Sequence, residues 1–122
     1  MENMQKQQRA RDVSAPIQFI TLDGTRYKLA FTNRAARVAE DVYEQVYGRD
    51  VGYTEILKAL ANFKYKAVMA VFYGALIAGG AEMDWETFDN LFKLDSIEGI
   101  REIIVQGVVD ALPKDSGGSE NP

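Results

Sequence analysis

Cysteine and histidine are both absent from this 122-residue chain. Without cysteine there are no disulfides, thiolate zinc sites, iron–sulfur clusters or cysteine nucleophiles. Without histidine the commonest general base near pH 7 is missing, and with it Ser-His and Cys-His machinery and most transition-metal sites. Nor does any GxxxxGKS/T, GxGxxG or GxSxG pattern occur, so phosphate loops and the usual hydrolase elbow find no support. No catalytic residue, metal site or cofactor is assigned, and an enzyme is not expected.

Hydrophobic residues make up 47% of the chain, enough for one core at this length. The net charge of −4 opposes a general role on nucleic acid or an anionic membrane surface. The charge is also uneven. Residues 1–66 hold 11 Lys and Arg against 8 Asp and Glu, whereas residues 67–122 hold 3 against 10. Such asymmetry suits a protein that meets charged protein partners or copies of itself, and equally an unevenly solvated surface. The longest apolar stretch, Ala67 to Ala81, is rich in Ala and Gly and too short for a comfortable membrane span. It reads as a buried helix. The first 15 residues lack the apolar run of a signal peptide, so an intracellular protein is expected.

Both ends read as flexible tails: residues 1–15, and residues 113–122 with the sequence PKDSGGSENP. Between them the expectation is a single globular domain, 16–112, of α+β class and mainly helical. An N-terminal hairpin over 17–31 would pack on a bundle of four to five helices. Ile17-Gln18-Phe19-Ile20-Thr21 alternates apolar with polar except at Ile20, and Tyr27, Leu29 and Phe31 share a face opposite Arg26 and Lys28. The Asp23-Gly24 pair between the runs is a strong hairpin signal.

Helices are expected at about 33–47, 54–62, 65–78, 84–94 and 96–112. In the first, Thr32 or Asn33 caps the start and Gly48 the end, with Ala35, Val38, Ala39, Val42, Tyr43 and Val46 as the apolar stripe. Periodicity does not decide whether the second helix runs on into the third; a break around Asn62–Phe63 is favoured. Gly79-Gly80 closes the third helix, Asp84 caps the fourth and Ser96 the fifth. Ile97, Ile100, Ile104 and Val108 form the last stripe. The β-branched run Ile103-Ile104-Val105 leaves a strand there as the competing reading.

Acidic residues at Glu82, Asp84, Glu86 and Asp89 lack the register of a calcium loop and read as helix capping. Glu40, Asp41 and Glu44 read as a solvated face, with Arg34 and Arg37 in reach for pairing. Glu98 and Glu102 sit one turn apart, but Arg101 beside them favours an exposed ion pair over acid–base chemistry. Lys6, Arg9 and Arg11, and Lys58, Lys64 and Lys66 interleaved with Phe63 and Tyr65, are weak signals for nucleic acid. The acidic whole opposes them. Partner binding stands on better ground, because aromatics at element ends are frequent interface anchors. Tyr53, Phe63, Tyr65 and Trp85 are the candidate contacts, with Glu86, Asp89, Glu98 and Glu102 as their acidic complement; Trp85 and Phe88 fit a plain core role as well.

Taken in order, the pieces are DGTRYKLAFT, the helix NRAARVAEDVYEQVYG, a short amphipathic helix, KAVMAVFYGALIAGG, MDWETFDNLFKL and a last helix ending IIVQGVVDALP. Their order and pattern, over about Ile17 to Leu112, resemble the small tail assembly chaperones of long-tailed bacteriophages and prophages. The Asp23-to-Phe31 segment carries that family's D-G-x-x-Y-x-L-x-F hairpin. Helix one departs from it, with Ala39-Glu40-Asp41 and Glu44 where many relatives have a Leu-Glu-containing stretch. The resemblance implies a protein of the host bacterial cytoplasm that binds the tape-measure protein, a long helical rod, and keeps it soluble. It further implies that the protein helps recruit tail-tube protein around that rod. It transfers no site residue. A structural virion component, such as a head–tail joining or tail-completion protein, is the alternative, and a bacterial adaptor domain the third.

Overall fold

A computed structural model describes residues 17–92 and 97–112. The expected tails, the Ser96 cap and the last residues of the expected fourth helix lie outside the described residues. The fold is α+β and mainly helical: among the described residues, a two-stranded hairpin is followed by five helices.

Strands β1 (Ile17–Leu22) and β2 (Thr25–Ala30) pair antiparallel, with Leu22 opposite Thr25 and Ile20 opposite Tyr27. Asp23 and Gly24 take φ of +49° and +83°. Two successive left-handed residues give the primed turn whose twist matches that of the strands. The core face of β1 is set by the residue that broke its alternation. Ile20 and Leu22 are buried, while Ile17 and Phe19 point outward, and the Arg26 guanidinium covers the Phe19 ring at 4.1 Å.

Helix α1 (Asn33–Gln45) starts where the Thr32 hydroxyl accepts the Ala35 N–H at 3.3 Å. It ends two residues earlier than expected. Gly48 takes φ +71° and lets the Arg49 N–H reach the Tyr43 carbonyl at 2.9 Å. Val46, whose N–H still bonds the Val42 carbonyl at 2.8 Å, is 42% exposed, although the stripe counted it inward.

Helices α2 (Tyr53–Ala61) and α3 (Tyr65–Ala78) are separate. Phe63 breaks them by adopting φ +57°, a conformation that Cβ makes costly for a bulky residue. The start of α2 has no side-chain cap from Gly52; instead a carboxylate oxygen of Glu40, on α1, accepts the Tyr53 N–H at 2.8 Å. Glu40 is therefore half-buried and structural, not part of a solvated face.

Helix α3 is the centre of the molecule. Ala67 to Phe72 and Gly74 to Leu76 are all buried, as a helix apolar on every side must be. Small residues let α1 cross it closely: a Cβ on Gly74 would stand 2.4 Å from the Ala35 carbonyl oxygen. Gly79 likewise presses on the Lys28 carbonyl of β2, and Gly80, at φ +111°, turns the chain away.

Helix α4 (Trp85–Leu91) is capped by Asp84, whose carboxylate accepts the Thr87 N–H at 2.9 Å. It stops before Phe92, which is extended. Helix α5 (Ile97–Ala111) settles the fate of Ile103-Ile104-Val105: all three are helical. Ile100, Ile104 and Val108 are buried, and Gly107 lies against the Phe31 ring so tightly that a Cβ would overlap it. Burying each such side chain is worth about 1.5–3 kcal/mol, which outweighs the few tenths of a kcal/mol that a β-branched residue costs a helix. No polar or charged side chain is buried among the described residues.

Candidate functional site

Two features stand out: a largely buried seam of aromatic rings that reaches the surface at Tyr65, and a groove between α2 and α5. The seam follows from helical spacing. Tyr43 of α1 and Tyr47, in the turn after it, meet edge to face at 5.2 Å, and Tyr47 meets Trp85 at 6.1 Å. Trp85 then packs on Tyr73 and Phe88, and Phe72 joins Phe88 to Phe92. Tyr65 closes the line on Phe92 at 6.3 Å. Each such pair adds about 0.5–1.5 kcal/mol to the area it buries.

Trp85 is thus half-buried, and Phe88 is fully so. The Tyr73 hydroxyl donates to the Met83 carbonyl at 2.8 Å, tying the α3–α4 connection to this seam. Tyr65 keeps 43% of its surface exposed. Burial raises the Tyr47 hydroxyl well above the ordinary tyrosine range, and neighbouring Tyr43, Tyr65 and Asp89 raise it further. Burial and Asp89 do the same, more weakly, for Tyr65, and burial alone raises Tyr53. Lys66 holds its ammonium 5.0 Å from the Tyr47 ring centroid.

The expected contacts therefore divide into groups. Tyr65, Trp85 and Asp89 gather at the seam, while Glu86 sits exposed in the first turn of α4. Phe63, Glu98 and Glu102 gather at the start of α5, about 500 Å³ of open hollow lying between Phe63, Gln18 and the α5 side chains. Here Arg101 stacks on the Phe63 ring at 3.9 Å and donates to the Glu98 carboxylate at 3.1 Å. Tyr53 stands apart from both groups, beside Thr32, Asn33 and Leu57.

Among the described residues no group of three or more acidic side chains converges to hold a metal ion. The stretch from Glu82 to Asp89 is exposed at each carboxylate. Hydrogen bonds from the Thr87 N–H and hydroxyl hold the Asp84 carboxyl below the ordinary carboxylate range. Arg34 and Arg37 form no ion pair with the α1 carboxylates among the described residues. Lys58, Lys64 and Lys66 are exposed, as the weak nucleic-acid pattern required, but Arg101 occupies one face of Phe63 and Lys66 turns to Tyr47. Of the described residues, no helix is long and apolar enough to cross a membrane.

The groove escaped the sequence reading. Leu57, Leu60 and Ala61 of α2 face Val105, Val109 and Leu112 across about 200 Å³ of almost wholly apolar space. Val109 is 50% exposed and Leu112 48%. The signal was present as a second apolar row, at i, i+4 and i+7, beside the isoleucine stripe of α5. A core stripe alone does not need that row, so its presence marks a second face.

Compared with family models, curated proteins and solved structures, the chain finds no match.

Proposed function

We propose that this chain is a tail assembly chaperone: it binds the tape-measure rod, keeps it soluble, and helps recruit tail-tube subunits around it. The observation that carries the reading is the order of elements together with their terminators. A primed Asp-Gly hairpin leads into a helix ended by a left-handed Gly48, and a small-residue helix ends in the Gly79-Gly80 turn before a capped α4. That is the order on which the family resemblance rests. The apolar groove supports the same reading from physics, because a helical client needs an apolar surface to lie on.

Co-expression with a tape-measure rod tests this. The chain should raise the soluble yield of the rod and co-purify with it. Equal yield with and without the chain, and no co-purification, overturns the proposal. Stoichiometric copies of the chain in purified virions, found by mass spectrometry, would favour the structural virion component instead.

A further inference from the structure

The α2–α5 groove is lined by apolar side chains alone. Next to its α5 wall runs an exposed acidic row, of which Glu102 and Gln106 line the neighbouring hollow beside Phe63. Along α5, Glu98, Glu102 and Asp110 lie on one row with Gln106, each four residues from the next, and all four are exposed. The Gln106 amide donates to the Asp110 carboxylate at 2.8 Å, which holds the C-terminal end of the row in place. At 1.5 Å per residue, successive positions stand about 6 Å apart along the helix axis. Immediately beside this row runs the apolar row Val105, Val109 and Leu112, which forms one wall of the groove. Arg101, the cation on α5, is already engaged by Glu98 and Phe63.

We infer that the α2–α5 groove receives a basic amphipathic helix, its apolar stripe seated between Leu57 and Val109 and its Lys or Arg residues lying along the Glu98–Glu102–Asp110 row. The charge selects this occupant. A partner helix with Lys or Arg two turns apart beside an apolar stripe meets Glu102 and Asp110 at the same eight-residue interval, and no cation pairs with either carboxylate among the described residues. An acidic helix meets like charge there. A second copy of this chain would present its own α5 carboxylates to this row, which the same repulsion disfavours. That the helix belongs to the rod-like client rests on the chaperone reading; the groove and its charge do not.

The test uses the full chain and labelled synthetic helical peptides, read by fluorescence anisotropy. One peptide carries a Leu/Ala stripe flanked by lysines, a second has the same stripe flanked by glutamates, and a third is a scramble of the first. The lysine-flanked peptide should bind at least tenfold tighter than the other two and weaken as salt rises. Val109→Asp should abolish that binding, and Leu112→Asp should weaken it; circular dichroism melts like that of the parent show that both exposed sites tolerate the change. The pair Glu102→Lys with Asp110→Lys should reverse the preference toward the glutamate-flanked peptide. Equal binding of the lysine and glutamate peptides overturns the inference. So does binding indifferent to Val109→Asp, or a dimer of the chain that Val109→Asp dissolves. Rod rescue without peptide preference would sink this inference and leave the chaperone reading standing; peptide preference without rod rescue would do the reverse.

Discussion

The Arg101 guanidinium lies over the Phe63 ring, 3.9 Å from its centroid, and joins the α2–α3 turn to α5. The contact needs Phe63 at φ +57°, because an extended or helical residue there would carry α2 onward or aim the ring elsewhere. A left-handed L-residue costs roughly 1–2 kcal/mol, and an exposed cation–π contact returns about 0.5–1 kcal/mol. The turn is therefore held by its surroundings against a local preference, a pattern that concentrates at functional positions.

Phe63 offers the first prediction. Phe63→Gly loses the ring contact but removes the left-handed cost, so its stability should stay within about 1 kcal/mol of the parent. Phe63→Ala loses the contact and keeps most of the cost. It should be the less stable of the two by about 1 kcal/mol in urea unfolding. An Ala variant as stable as the Gly variant would show that the turn carries no such strain.

The crossing of α1 and α3 depends on Gly74. Its Cβ position stands 2.4 Å from the Ala35 carbonyl oxygen and 3.3 Å from the Ala39 nitrogen, both backbone atoms that cannot rotate aside. Gly74→Ala must separate the helices and should cost about 2–3 kcal/mol, as overpacked cores do. Gly99→Ala is the control: open space surrounds that helical position, where Ala is no worse than Gly. Thermal melts should show a large loss for the first and almost none for the second.

Glu40 acts across thirteen residues as the cap of α2, accepting the Tyr53 N–H at 2.8 Å. Removing a cap acceptor costs about 0.5–2 kcal/mol. Glu40→Ala should therefore destabilise by about 1 kcal/mol, while Asp41→Ala on the exposed side of the same turn should fall within about 0.5 kcal/mol of the parent. Glu40→Gln keeps an acceptor oxygen and should recover most of the loss. Equal effects at Glu40 and Asp41 would return both to the solvated face.

What the sequence made legible was whatever depends on neighbours along the chain. The Asp23-Gly24 turn, the Thr32 and Asp84 caps, the Gly48 terminator and the isoleucine stripe of α5 are all local chemistry, and each was read correctly. The errors share one cause. Glu40 looks solvated until α2 folds back onto α1, and Ile20 breaks an alternation that only the packing of β1 on the helices can orient. Val46 follows the stripe in register, but nothing packs over it at the end of α1 and it stays 42% exposed. At the candidate site the aromatic positions were visible as residues at element ends. The groove was not, because it exists only where Leu57, Leu60 and Ala61 come to face Val105 and Val109, more than forty residues further along the chain. Its apolar row was in plain view at Val105, Val109 and Leu112, masked by the neighbouring stripe that the core explains.

Alkaline titration gives the last prediction. Tyr47 sits between Tyr43 and Trp85, with Tyr65, Asp89 and the Lys66 ammonium around it. Burial first, and then these tyrosines and the carboxylate, hold its hydroxyl above the ordinary range, so the folded chain resists its ionisation more than the unfolded chain does. The stabilising contribution is complete below the unfolded value of about 10 and is lost as pH rises through the higher folded value, because the unfolded state releases that proton more readily. Ultraviolet titration should show tyrosinate from Tyr47 emerging only as the fold is lost. Tyr47→Phe removes the ionisable group while keeping the ring against Trp85, so its stability should match the parent near neutral pH and fall less steeply above pH about 10. Identical pH profiles for the two proteins would mean that Tyr47 ionises as freely in the seam as in the unfolded chain.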